Sequence, residues 1–142
     1  MRKLILCILI LSTVATLIYA QSLTIKISGI KNSKGNISLA FFKNSSSFKS
    51  ESPAFTKIIK KSSVQNGCIT VKYSDIKPGT YGVALLDDEN RNGKMNYKFF
   101  IPKEGFGFSN YYHKGKKKPS FKDFSFLYGS SNKTISIKIK YM

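Results

Sequence analysis

Apolar residues in this chain recur at every second position, in runs too short for anything but strands. Leu23-Thr24-Ile25-Lys26-Ile27 alternates cleanly up to Gly29, and Thr134-Ile135-Ser136-Ile137-Lys138-Ile139-Lys140-Tyr141 repeats the pattern near the other end. Successive strand side chains point to opposite faces, so such a run buries one face and wets the other. Between these two lie residues 37–43, 55–60, 68–73, 81–86 and 124–128, separated by turn residues. Seven such segments predict an all-β fold, an antiparallel β-sandwich of the immunoglobulin-like or prealbumin-like kind, with one long irregular loop over residues 87–122. One short helical turn is expected around Phe48. Residues 55–60 suit a sheet edge, where their lysines discourage strand addition. Pro78-Gly79 fits the centre of a type II turn. Tyr81, just behind it, is expected to close a sandwich corner through a hydroxyl bond to backbone.

Residues 1–20 read differently. Arg2 and Lys3 precede a long apolar run that ends near Ala20, the layout of a secretory signal peptide cleaved before Gln21. A retained membrane anchor is the alternative. Cys7 lies inside the apolar run, which does not fit a lipoprotein. Residues 21–142 then make one domain, long enough to bury a core without staples, and no transmembrane segment follows cleavage. Cys68 is the one cysteine in that stretch, so no intramolecular disulfide is expected. In the alternating run CITVKY it reads as a small buried side chain.

The formal charge is +17, and removing Arg2 and Lys3 leaves 22 basic against 7 acidic residues, or +15. Such a field draws anionic surfaces. Every basic residue except Arg2 and Arg91 is a lysine, however, and base-edge or bidentate phosphate recognition favours arginine forks. Sequence-specific nucleic-acid binding is therefore not expected.

The chemistry-bearing residues concentrate in the long loop. In DDENRNGKMN, Asp88, Asn90 and Asn92 alternate and Gly93 follows, like the first half of a calcium loop. Lys94 would add a carbonyl and Asn96 a side-chain contact. Phe99 stands where a bidentate glutamate belongs, so any calcium affinity is expected to be weak. The competing reading is a hairpin loop in which these side chains bond their own backbone. Further on, Phe106, Phe108, Tyr111 and Tyr112 form either a stacking surface for a ligand or the packing of a pinned loop. Pro102 interrupts any regular strand there, and Gly105 and Gly107 permit unusual backbone angles. Lys114, Lys116, Lys117 and Lys118 form the densest positive run, a docking patch or a solvated loop. His113 is the one histidine, too little for a typical zinc site or a hydrolytic triad.

The motifs IKPGTY, ALLDDENRNGKMN, IPKEGFGFSN, PSFKDFSF and TISIKIKY, in that order, resemble the bacterial family called domain of unknown function 2141. The resemblance covers about residues 23–141. It implies an exported, envelope-associated β-sandwich with no assigned activity, and a shared site at the Asp88–Asn96 loop and the stretch from Glu104 to Asn110. Family members usually carry an aspartate where this chain has Asn96, which removes a ligand charge. The expected function is a non-enzymatic binding or structural module of the envelope, facing a protein or glycan partner. The rivals are a hydrolase using Glu104 and Asp123, and electrostatic attachment through the lysine run.

Overall fold

The computed structural model describes residues 21–142, and the expected signal peptide at residues 1–20 lies outside them. Two sheets face each other. In the first, β10 (Lys133–Lys138), β1 (Leu23–Ser28) and β4 (Cys68–Tyr73) lie side by side. In the second the order is β3 (Phe55–Lys60), β2 (Asn36–Phe42), β5 (Gly79–Asp88) and β8 (Gly105–Phe108), with β9 (Ser125–Tyr128) on the other half of the β5 edge. β6 (Tyr97–Lys98) and β7 (Ile101–Pro102) form a separate hairpin. Two short α-helices, α1 (Ser45–Lys49) and α2 (Phe121–Phe124), and one 3-10 turn at Lys61–Ser63 complete the described residues. Among the described residues no helix is long and apolar enough to cross a membrane.

The alternation read in the sequence is the alternation observed. Leu23, Ile25 and Ile27 of β1 face Ile37, Leu39 and Phe41 of β2 and Tyr81, Val83 and Leu85 of β5 in one buried core. Ile135 and Ile137 of β10 join it. Burying each such side chain contributes roughly 1.5–3 kcal/mol. β3 lies at the sheet edge as its lysines predict. The Tyr81 hydroxyl donates to the Lys77 carbonyl at 2.9 Å, closing the expected corner, and burial pushes its pKa up.

Four expectations need correction. The sandwich is not wholly antiparallel: β1 and β10 run parallel, Ile25 opposite Ile135. The two matching runs are thus neighbours within one sheet. Cys68 is exposed, because Ile69 takes the inward position of β4 and alternation turns Cys68 out. Gly79 has no left-handed backbone, so Pro78-Gly79 does not form a type II turn with glycine in its third position. The segment 87–122 is not irregular throughout, since β6, β7, β8 and the start of α2 lie within it.

The outer face of the second sheet is also covered. Phe42, Phe48, Phe108, Phe121 and Phe124 form a second buried cluster there. Phe48 sits with its ring centroid 4.8 Å from Phe124, and Phe108 lies 5.0 Å from the same ring. This second core pins the long segment against β5 and so positions everything between residues 87 and 124.

Candidate functional site

β5 ends in two aspartates on opposite faces. Asp87 continues the inward series of Tyr81, Val83 and Leu85 and is fully buried. Its Oδ1 contacts Nζ of Lys61, whose side chain is 1% exposed. The Tyr141 hydroxyl donates to Asp87 Oδ2 at 2.5 Å. Burial, then the Asp87 hydrogen bond, push the Tyr141 pKa above its ordinary 10.0. Asp87 therefore turns away from the loop and supplies it no ligand.

Asp88 turns into the loop. Its Oδ1 accepts from the Asn92 amide at 3.1 Å and its Oδ2 from the Gly93 amide at 2.8 Å. Asn90 Oδ1 also accepts from the Asn92 amide, and Asn92 Oδ1 accepts from the Lys94 amide. The side-chain amides of Asn90 and Asn92 both donate to Asn96 Oδ1 at 2.9 Å. The loop thus holds its shape through its own Asx turns. Gly35 lets the 31–36 turn lie against it: a Cβ there would stand 2.0 Å from the Asp88 carbonyl oxygen.

Glu104 supplies what the spacing lacked. It is 5% exposed, and its Oε2 accepts from the Asn96 amide at 3.1 Å while Oε1 is buried without a partner. With Lys34, Glu89, Asn90, Asn96 and Lys103 it lines an open cleft beside the loop. A buried carboxylate oxygen with no donor fits a cation or an ordered water. Asn90, Asn96 and Glu104 bring oxygen-bearing side chains to this cleft, and the neighbouring Lys34 and Lys103 keep any cation bound there weak. A bound ion would tie the loop to the segment just before β8 that carries Glu104.

Beyond the loop the hairpin β6–β7 projects outward. Lys103 N donates to the Asn96 carbonyl at 2.8 Å, so the same asparagine anchors its base. Tyr97 pairs with Pro102 and Lys98 with Ile101, leaving Phe99 and Phe100 as the two-residue turn. Both have left-handed backbone, φ 49° and 65°. Two positive φ angles are the signature of a type I′ turn, which favours Asn-Gly and costs bulky residues about 1–2 kcal/mol each. Phe99 is 85% and Phe100 98% exposed.

The other candidates fall into structural roles. Phe108 is buried in the second core, and the partly buried Phe106 and Tyr111 pack against it. Tyr112 is exposed, with Lys138 Nζ 5.1 Å from its ring centroid. Asn110 stitches the segment to β10: its amide donates to the Ser136 carbonyl, and its Oδ1 accepts from the Ser136 amide. Gly105 and Gly107 have no positive φ. They serve close approach instead, since a Cβ would meet Tyr141 at 2.4 Å and Ile137 at 2.6 Å. Lys114, Lys116, Lys117 and Lys118 are all exposed, and Lys118 also lies over the Phe48 ring at 4.4 Å and pairs with Glu51 at 2.9 Å. His113 is buried beside Phe106 and Phe108, and burial, with the charge of Lys140, lowers its pKa. Asp123 caps α2 by accepting from the Ser120 amide, while Glu104 holds the Asn96 amide. The two carboxylates thus each hold a backbone amide in a separate local network.

Sequence reasoning misses Lys61, Tyr141 and Phe100, and it reaches Asp87 and Phe99 only as neighbours of the calcium-like loop, Asp87 as a possible second carboxylate and Phe99 in place of a glutamate. Asp87 was within reach, because it shares the parity of Tyr81, Val83 and Leu85. Nothing in a linear pattern pairs it with Lys61 or with Tyr141, fifty-four residues away.

No curated protein and no solved structure matches the chain. A family model described as "Uncharacterized protein conserved in bacteria (DUF2141)" matches residues 25–136, and the chain belongs to that family.

Proposed function

We propose that this protein is an exported, non-enzymatic binding module of the bacterial envelope, docking on anionic lipid headgroups through the β6–β7 hairpin. The observation that carries this reading is the pair Phe99 and Phe100, almost fully exposed in a backbone conformation that disfavours them. Strain retained at an exposed apolar tip indicates a use for the tip. Tyr97 and Ile101 extend the apolar surface, and Arg91, Lys94, Lys98 and Lys103 are exposed around it. Aromatic side chains ringed by cations suit the interface of an anionic bilayer, where the rings enter the headgroup layer and the cations meet phosphate. Calcium in the Asp88–Asn96 loop would stiffen the hairpin base. The signal-like leader supports export.

The test is co-sedimentation of the purified protein with phosphatidylglycerol vesicles against phosphatidylcholine vesicles. Binding to the anionic vesicles is expected to fall as salt rises. Replacing Phe99→Asn with Phe100→Gly should abolish it while raising the melting midpoint, since the new pair suits a type I′ turn. Replacing Lys114, Lys116 and Lys117 by Ser should leave most of it. Undiminished binding by the hairpin variant would sink the proposal, as would binding to envelope glycan or protein alone.

A further inference from the structure

The contact between Lys61 and Asp87 differs from the other two ion pairs of the described residues. Lys57–Asp75 and Lys118–Glu51 are partly exposed and hydrogen-bonded. Lys61 and Asp87 have side chains 1% and 0% exposed, and Nζ touches Oδ1. Yet neither atom has a hydrogen-bond partner, so the contact lacks the alignment of a donor with an acceptor lone pair. An ammonium carries three N–H donors and no acceptor. Burying one against a carboxylate oxygen without a single aligned hydrogen bond leaves the desolvation of the ammonium and of Oδ1 poorly compensated, while Oδ2 keeps its bond from Tyr141. An amide nitrogen carries one N–H and no charge, and its bonded geometry is a side-on contact between nitrogen and carboxyl oxygen.

We propose that Lys61 and Asp87 are joined by an intramolecular isopeptide bond that the fold itself forms. The reaction needs no co-reactant. One proton passes from the ammonium to the carboxylate, giving the free amine and the acid. The freed nitrogen lone pair attacks Asp87 Cγ, forming the C–N bond. Negative charge gathers on Oδ2, where the Tyr141 hydroxyl already donates at 2.5 Å. The Lys31 amide donates to that hydroxyl oxygen at 3.1 Å, which leaves its proton free to point at the carboxylate. The Cγ–Oδ1 bond then breaks, and Oδ1 leaves as water with two protons from nitrogen. One hydrogen stays on the new amide. Holding the two groups in contact supplies an effective molarity of roughly 10⁵–10⁸ M, which drives a condensation that bulk water opposes.

The product would tie the turn after β3 to the end of β5 across β2, which lies between them. Cys68 is the one cysteine of the described residues, so no disulfide within the domain serves this purpose. The cross-link would sit directly beneath the loop that bears the hairpin.

Trypsin digestion of the denatured protein with tandem mass spectrometry tests the bond. A linked Lys61 resists cleavage, so residues 61–72 should appear joined to residues 73–91, one water lighter than the two peptides together. Lys61→Arg and Asp87→Ala should both abolish this branched peptide. Asp87→Asn should give the same branched product by release of ammonia. Tyr141→Phe should slow its formation roughly a hundredfold, the usual cost of losing one oxyanion donor. Recovery of only linear peptides from the unmodified protein would overturn the proposal. Equal rates in Tyr141→Phe would remove the tyrosine from the step.

Discussion

The two faces at the end of β5 solve opposite problems with the same residue type. Asp87 looks inward, against Lys61 and the Tyr141 hydroxyl in a site closed to water. Asp88, one residue on, looks outward, and its charge is answered by the backbone amides of Asn92 and Gly93. The first arrangement joins distant parts of the chain and is costly to break. The second is local, and it organises a loop rather than a core. A side chain's worth therefore follows the face it lands on more than its chemistry.

The sharpest way to break this comparison is Asp87→Ala. It strands Lys61 in the core and should cost about 3–5 kcal/mol, read from urea unfolding. A loss near that of an exposed ion pair, under about 1 kcal/mol, would show that the inner face is not closed. Asp88→Ala should cost less, about 2 kcal/mol for two amides that lose a charged acceptor. Hydrogen exchange should quicken at Asn92 and Gly93 while the core amides stay protected. The same variant sharpens the calcium reading: about 10 mM calcium, well above the ~1 mM of weak extracellular sites, should raise the melting midpoint of the parent protein and not of Asp88→Ala. An unchanged parent midpoint removes calcium from the loop.

The smallest effect concerns His113, on the aromatic underside of the long segment. Its pKa is lowered from the ordinary 6.5 by burial among aromatic rings and by Lys140. The unfolded chain thus binds a proton that the folded state resists. Stability from this group is complete above pH 6.5 and declines as pH falls through that value toward the depressed folded pKa. His113→Gln should flatten that part of the stability profile, measured by thermal melts between pH 5 and pH 7.5. A decline unchanged by the substitution would assign it elsewhere.

Of the fold, the strands were the readable part. Leu23 to Ile27 and Ile135 to Ile137 announce their burial by alternation, because pleating makes inward and outward positions a property of the local chain. The helical turn at Phe48, the edge position of β3 and the Tyr81 corner followed from equally local rules. Cys68 was misplaced by one step of the same alternation, since Ile69 outcompetes it for the inward position. The pairing of β1 with β10 was not readable, because alternation says which face is buried and nothing about strand direction.

The site divides in the same way. Asp88, Asn90, Asn92 and Asn96 were visible as a loop because Asx turns form between residues two to five apart. That Glu104 would close this loop, that Phe108 would sink into a second core, and that Phe99 and Phe100 would stand free were decided by packing. Local periodicity, turn chemistry and charge excess were thus determined by the sequence itself. Which aspartate meets a buried lysine, and which aromatic residues remain uncovered, depended on contacts between segments far apart in the chain. Only a closed tertiary structure sets those distances.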